Sequence, residues 1–246
     1  MRMKKALTAV LVFSLCLLFA LPVMAKRLPS AQDLLAMYPA REPPLAMDPA
    51  SDPLLRLVNR WNKLPSSFKP RVYRPGVKIK SEEVSLLLPA ATALEAMFAA
   101  AKSEGLALIA VSGYRTWQTQ KYIYARSVER NGEAYASMMS AQAGASEHQL
   151  GLAADLSCAS LEGDLSSSFA KRKEGKWVAA HCAEYGFILR YKEEWTDVTG
   201  YQGEPWHIRY VGPEHAQTIT KMDVPLEIYI EYLKLLWQQS RPVPGQ

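Results

Sequence analysis

Residues 146–155 read SEHQLGLAAD, and residues 204–207 read EPWH. These two segments contain two of the four histidines of the chain, His148 and His207, and each histidine has a carboxylate close to it in sequence. Two imidazoles and one carboxylate form a three-ligand set for a zinc ion that leaves a fourth position open for water. Because a second carboxylate remains available as a base, the two segments predict the active site of a zinc hydrolase.

Asp155 follows His148 by seven residues, and Gly151 lies between them. This spacing allows the chain to leave a metal, turn tightly at the glycine and return as a strand. Asp155 precedes Leu156 inside an apolar stretch, where an unpaired carboxylate would be costly. A metal ion or a strong hydrogen-bond partner would remove that cost, whereas the residue taken alone could also be a turn or cap residue.

Glu204 precedes His207 by three residues, close enough to reach a water molecule on an open coordination site. There it could accept the proton of the water and pass it to the leaving amine. Pro205 favours an extended conformation at Glu204. The joint pattern distinguishes this segment from an ordinary loop. His181 and His215 lie outside the two motifs, on predicted helices, and are interpreted as surface or hydrogen-bonded residues.

The segment SGYRT at 112–116 follows an apolar run at 106–111 that is predicted to be a buried strand. Arg115 would then stand on a loop at the strand end, where its planar guanidinium can meet a carboxylate or an oxyanion. It could equally pair with an acidic residue at a helix start. Gln120 would face the same side if a helix begins directly after the segment, and Ser146 could hydrogen-bond a substrate amide or cap a turn.

The first 25 residues have the layout of a secretory signal peptide. A basic start is followed by an almost wholly apolar run at 6–21 and by small residues suited to cleavage after Ala25. Cys16 lies inside the apolar run after Leu15, whereas a lipoprotein signal requires a small residue there. We therefore expect an exported protein without a lipid anchor, and an uncleaved N-terminal anchor is the alternative.

Cleavage would remove three of the 29 basic residues, which leaves 26 of them against 24 acidic residues. A surface so nearly balanced gives no reason to expect nucleic acid binding. No second segment approaches the roughly 18 continuous apolar residues of a membrane span. We expect a soluble monomer without a stable membrane span, either periplasmic or associated with the cell wall outside the cell.

Cys158 and Cys182 are the only cysteines that remain after cleavage. An oxidising compartment favours their pairing, and a loop of this length would stabilise the fold by roughly 3 kcal/mol. We therefore predict a disulfide between them, with two buried free thiols as the alternative.

The chain is expected to divide into three parts: the signal peptide at 1–25, an arm or linker at 26–53 and a domain at 54–240. The arm combines a short amphipathic segment at 30–38 with five prolines between residues 39 and 53. The domain mixes helices and strands without a regular βαβ rhythm, which predicts an α+β fold with a small, mainly antiparallel sheet flanked by helices. Helices are predicted at 81–105, 116–130, 167–185 and 225–238, and strands at 106–111, 187–189 and 207–211.

Three motifs together resemble the VanY-type D-alanyl-D-alanine carboxypeptidase family of zinc peptidases. They are SGYRT at 112–116, the pattern S-x-H-x-x-G-x-A-x-D at 146–155 and EPWH at 204–207. Residues 57–65 resemble the stretch that opens these domains, and residues 186–191 resemble their late strand. The similarity runs in the same order from about residue 54 to about residue 212.

The resemblance implies the small α+β fold shared by D,D-peptidases and hedgehog signalling domains. It also implies an exported zinc carboxypeptidase that removes the C-terminal D-alanine from peptidoglycan stem peptides by attack of a zinc-activated water. An L,D-carboxypeptidase that acts on tetrapeptide stems is the nearest alternative, because the zinc machinery is shared. A cross-bridge endopeptidase and a non-catalytic, metal-stabilised binding module are further alternatives.

Carried over position by position, the resemblance also implies roles for individual residues. The zinc ligands would be His148, Asp155 and His207. Glu204 would be the catalytic base, and Arg115 would stabilise the polarised carbonyl or hold the terminal carboxylate of the substrate. Further substrate contacts would come from Gln120 and Ser146.

Overall fold

The described part of the chain comprises residues 27–39, 48–80 and 84–241 of a computed structural model. The predicted signal peptide at 1–25, the middle of the predicted arm and the residues expected to cap the first domain helix, 81–83, lie outside the described residues. Within the described ranges, no helix is both long and apolar enough to span a bilayer.

Four strands form one sheet with the order β1-β2-β4-β3, and every neighbouring pair is antiparallel. The strands are β1 (Leu108–Ser112), β2 (Ala153–Cys158), β3 (Phe187–Tyr191) and β4 (Glu204–Tyr210). This sheet and the helices around it confirm the predicted α+β class with a small antiparallel sheet.

Eight α-helices accompany the sheet in the described residues. They are α1 (Ala31–Met37), α2 (Leu88–Ser103), α3 (Trp117–Asn131), α4 (Glu133–Met139), α5 (Lys173–His181), α6 (Thr196–Thr199), α7 (Pro213–Met222) and α8 (Leu226–Ser240). Helix α2 begins later than predicted, because Leu87 is its N-cap and a proline occupies its first turn. The predicted helix at 167–185 is instead α5 between two 3₁₀ turns, since the backbone is extended at Arg172.

The two faces of the sheet have different roles. Side chains alternate along a strand, so every second residue of β2 and β4 points to the same face. One face packs on α2 and α5 in an apolar core, which contains Leu94, Met97, Phe98, Ala154, Leu156, Val178, Ile208 and Tyr210. The opposite face carries buried polar residues, among them Asp155, His207 and Arg209. The sheet thus presents polar chemistry on one side while an apolar core holds it from the other.

A second apolar cluster lies around α7 and α8. The described part of the predicted arm joins it, because Leu34 of α1 is fully buried there and the hydroxyl of Tyr232 in α8 donates to the carbonyl of Tyr38. Ser30 caps α1 in a reciprocal capping box with Asp33. Residues 30–38 therefore form a short helix packed on the domain.

Both cysteines of the domain are free and buried, so the structure contradicts the predicted disulfide. The two residues pack in the same apolar core, where a thiol behaves as a small apolar group. Cys158 Sγ lies 3.3 Å from the hydroxyl of Ser160. Burial raises the pKa of Cys182 to about 12, so this thiol is held in its protonated form.

Candidate active site

His148 stands on a short 3₁₀ helix, Glu147–Leu150, directly before β2. Gly151 ends this helix in the left-handed conformation, with φ of 74°, and so turns the chain into the strand. His148 Nδ1 lies 2.6 Å from the carbonyl oxygen of Gly113. A carbonyl can only accept, so Nδ1 carries the proton and the lone pair of Nε2 faces Asp155, 3.2 Å away.

Gly113 allows the loop after β1 to pass very close to the backbone of Ser85. A Cβ atom at this position would lie 2.5 Å from the carbonyl oxygen of Ser85, which is too close for any side chain. The glycine therefore lets the segment after β1 run against the neighbouring backbone and present its carbonyl to His148. The SGYRT motif thus supports the histidine of the motif at 146–155.

Asp155 and His207 are direct cross-strand neighbours in the β2–β4 ladder. His207 Nδ1 lies 3.0 Å from Asp155 Oδ1, and the rings of His148 and His207 stand nearly perpendicular with centroids 5.0 Å apart. One ligand atom from each of the three residues lies within 4.8 Å of the others. Ligand atoms of a tetrahedral zinc site with bonds of about 2.1 Å are separated by about 3.4 Å, so this arrangement fits zinc.

Glu204 reaches the same place through an irregularity of β4. Strict alternation would turn residues 204 and 207 to opposite faces, but the β3–β4 register shifts between the pair Leu189–Ile208 and the pair Tyr191–Glu204. In this irregular part of the ladder, Glu204 Oε2 lies 3.8 Å from His207 Nδ1. Burial raises the pKa of Glu204 to about 7, so this carboxyl can take up and release a proton near neutrality.

Arg115 is held by three partners, one each from β1, α3 and β2. Its Nε donates to Ser112 Oγ at 3.1 Å, one terminal nitrogen donates to Gln120 Oε1 at 2.9 Å, and the other donates to Asp155 Oδ2 at 3.0 Å. Gln120 is the one buried residue of α3, and its amide nitrogen donates to the carbonyl of Ala141. The structure thus brings Arg115 and Gln120 next to the histidine cluster.

All seven residues predicted for the site line one cavity of about 220 Å³. Its walls also include side chains for which no role was predicted: Ile123, Met139, Leu165, Tyr191, Tyr201 and Trp206. The cavity therefore combines a polar floor with an apolar and aromatic rim, which is the usual composition of a site for a small organic group.

The electrostatics of the site favour a cation. Burial opposes a charge on His207, but hydrogen bonds to Asp155 and Glu147 outweigh it and raise the pKa of His207 to about 9. Burial and the nearby guanidinium of Arg115 lower the pKa of His148 to about 4. Burial also opposes ionisation of Asp155, yet the two histidines hold its pKa well below the usual range. The carboxylates that favour a proton on His207 would equally favour a bound metal ion.

Glu147, Arg190 and Arg209 form a buried network that sequence reasoning missed. Each guanidinium donates to Glu147 Oε1 at 2.9 Å, and the side chains of all three residues are fully buried. The signal in the sequence was an arginine within each of the apolar strands at 187–191 and 208–210, because a buried charge requires a partner. The partner could not be identified without the fold.

The two remaining histidines lie apart from this cluster. His181 Nδ1 lies 2.8 Å from Glu184 Oε1, and His215 Nδ1 lies 2.8 Å from the hydroxyl of Tyr229. Both are hydrogen-bonded residues as predicted.

Comparison with known proteins agrees with this geometry. The model of VanY, the D-alanyl-D-alanine carboxypeptidase family, matches residues 84–213. The chain belongs to this family. It is 42% identical over 186 residues to the putative carboxypeptidase YodJ of Bacillus subtilis, with 74% of this chain and 68% of YodJ covered. It is 41% identical over 125 residues to VanXYC of Enterococcus gallinarum, a bifunctional D-Ala-D-Ala dipeptidase and carboxypeptidase, with 50% of this chain and 66% of VanXYC covered.

Solved structures of the VanY family show the same fold. The chain superposes on the LD-carboxypeptidase LdcB with a TM-score of 0.70 and 42% identity, covering 74% of this chain and 88% of LdcB. It superposes on a VanY D,D-pentapeptidase from a VanB-type resistance cassette, a complex with Zn(II), with a TM-score of 0.62 and 32% identity. That match covers 74% of this chain and 99% of the other. The protein is thus a carboxypeptidase of the VanY and LdcB type.

Proposed function

We propose that this protein is an exported, zinc-dependent D,D-carboxypeptidase that removes the C-terminal D-alanine from peptidoglycan stem peptides. The observation that carries the proposal is the convergence of His148, Asp155, His207, Glu204 and Arg115 on one cavity. Membership of the VanY family supports the reaction class, and the predicted signal peptide at 1–25 supports export.

His148, Asp155 and His207 would hold the zinc ion through Nε2, a carboxylate oxygen and Nδ1. When bound, zinc would activate a water molecule and polarise the scissile carbonyl. Glu204 is not one of the three clustered ligands, but its carboxylate lies only 3.8 Å from His207 Nδ1. With a pKa of about 7, it can take a proton from the attacking water and deliver it to the leaving amine.

Arg115 provides the reason to expect an exopeptidase. Its side chain is 22% exposed and lines the cavity, so a positive charge faces the space where a substrate would end. A guanidinium binds a carboxylate more strongly than it binds a neutral amide, because the hydrogen bonds are charge-assisted. A stem peptide that ends in a free carboxylate offers this guanidinium a second anion besides Asp155, whereas an internal peptide bond does not.

An L,D-carboxypeptidase that acts on tetrapeptide stems is the second candidate. The 42% identity to the LD-carboxypeptidase LdcB favours it, since the identity to the VanY D,D-pentapeptidase is 32%. Both reactions release D-alanine and differ in the configuration of the residue on the other side of the scissile bond. The same zinc ligands, base and arginine serve either reaction.

The test is to incubate the purified mature chain with pentapeptide and tetrapeptide stems and to identify the products by mass spectrometry. The D,D proposal predicts loss of one alanine from the pentapeptide, and the L,D candidate predicts loss of one alanine from the tetrapeptide. A chelator should abolish the reaction and added zinc should restore it. Cleavage that is unaffected by chelator would contradict the zinc mechanism, and no cleavage of either stem by the zinc-loaded protein would contradict the proposed function.

A further inference from the structure

Glu147 lies behind the candidate zinc ligands, between two arginines and a histidine. Its Oε1 accepts from Arg190 Nε and Arg209 Nη1, both at 2.9 Å. Its Oε2 points the other way and lies 3.5 Å from His207 Nε2. Within the described ranges, both atoms are buried and neither has a hydrogen-bond partner. Each buried polar atom therefore has the other as its available partner.

The two nitrogens of His207 consequently face different groups. Nδ1 points to the cluster, 3.0 Å from Asp155 Oδ1, while Nε2 points to Glu147. A neutral imidazole carries one proton, and a carboxylate can only accept a hydrogen bond. Both nitrogens face a carboxylate, and a proton on Nε2, which Glu147 can accept, leaves the lone pair of Nδ1 available for a metal ion.

We propose that Glu147 is a positioning residue that holds His207 in the tautomer that can bind zinc through Nδ1. The inference rests on the zinc site of the proposed function and assigns to that site a second carboxylate, outside the ligand set. A carboxylate that accepts from the outer nitrogen of a metal-binding histidine fixes the orientation of the ring and increases its strength as a ligand.

The surroundings of Glu147 keep its carboxylate aimed at His207. Arg190 comes from β3 and Arg209 from β4, so the two guanidiniums hold Oε1 from neighbouring strands. Arg190 also makes two hydrogen bonds to Glu227 of α8, at 2.6 and 3.0 Å. Arg209 also donates to the carbonyls of Leu54 and Arg56. These bonds fix both arginines, and rotation of the Glu147 carboxylate would break the contacts to them.

A purely structural role for Glu147 would be to neutralise the buried arginines. Glu227 provides the matched control, because it also neutralises Arg190 but is bonded to Arg190 and Asn59 rather than to His207. Glu147→Gln and Glu227→Gln each remove one negative charge from the same network without a change of size. In Glu147→Gln, the oxygen is expected to stay with the arginines, which turns the amide N–H groups toward His207 Nε2 and favours the proton on Nδ1.

The experiment measures the zinc affinity of the mature chain and of both variants by competition with a chromophoric chelator, with folding checked by circular dichroism. We expect Glu147→Gln to weaken zinc binding by about 10- to 100-fold and Glu227→Gln to weaken it by less than about threefold. Equal losses in both variants, or an unchanged affinity in folded Glu147→Gln, would overturn the proposal.

A second measurement needs no variant and decides the question if Glu147→Gln fails to fold. Nitrogen-15 NMR of the zinc-loaded wild-type protein should show a proton on His207 Nε2 and the metal on Nδ1. A metal on Nε2 overturns the proposal. Neither measurement involves hydrolysis, so a chain that binds zinc in this way without cleaving stem peptides would refute the proposed function alone.

Discussion

The exchange Glu204→Gln separates the proposed base from the proposed zinc ligands. Glutamine has nearly the size of glutamate but cannot take up the proton of a water molecule. Glu204 lies outside the cluster of possible ligand atoms, with its carboxylate 3.8 Å from His207 Nδ1. We therefore expect zinc to remain bound with an affinity within a few-fold of the wild type, while turnover falls sharply.

The size of the loss follows from the role of the residue. A positioned general base accelerates a reaction by about 10²- to 10⁴-fold, which corresponds to about 2.7–5.5 kcal/mol of activation free energy. The loss should appear in kcat, because Glu204 acts on the proton in transit, whereas Arg115 is available to hold the substrate. KM should therefore change by less than about threefold.

The assay measures release of D-alanine from the preferred stem peptide by the zinc-loaded variant, with bound zinc determined in the same sample. Glu193→Gln is the control, because Glu193 accepts from the backbone of Gly203 in the segment before Glu204 but does not line the cavity. This control should retain wild-type kcat and KM. The reasoning is refuted if Glu204→Gln keeps more than about a tenth of the wild-type kcat, or if its activity is lost only because zinc is lost.

Three further predictions concern the anion site, the metal and the buried network. Arg115→Lys should raise KM about tenfold in steady-state kinetics, because lysine cannot form the planar fork that binds a carboxylate; an unchanged KM would exclude a direct contact. Zinc at about 1,000 times its Kd should add about 4 kcal/mol to the free energy of unfolding in denaturant titrations, because the ligand set exists only in the folded chain. A chelator should remove this gain in stability, and equal stability with zinc and with chelator would refute this zinc site. Burial opposes ionisation of Glu147, but Arg190 and Arg209 hold its folded-state pKa below the ordinary 4.5. The unfolded chain therefore takes up the proton first as the pH falls. Between pH 5 and 3 the zinc-free wild type should lose stability more steeply than zinc-free Glu147→Gln, by at most about 1.4 kcal/mol per pH unit. Parallel curves of unfolding free energy against pH would contradict this.

The ends of helices and turns were predictable where a capping residue or a glycine adjacent in sequence determines them. Helix α3 begins within one residue of its predicted start, because Thr116 caps it, and Gly186 ends the turn before β3. Helix α4 was missed, because Gly132 ends α3 and begins the next helix without a side-chain cap. The two cysteines were predicted to pair from the compartment alone, yet the apolar core accommodates both as free thiols.

The sequence by itself determined which residues meet in the cavity, because His148, Asp155, Glu204 and His207 stand in two short motifs whose residue types and spacing are specific. The tertiary structure alone decided how they meet. The register between β2 and β4 sets Asp155 opposite His207, and the irregular end of the β3–β4 ladder places Glu204 beside the two. The β2–β4 ladder joins residues 52 to 56 apart in sequence and the β3–β4 ladder joins residues 13 to 23 apart, so neither register is set within a single segment. The partners of Glu147 are likewise non-local, since only the fold brings this buried carboxylate within reach of His207 and Arg209 on β4 and of Arg190 on β3.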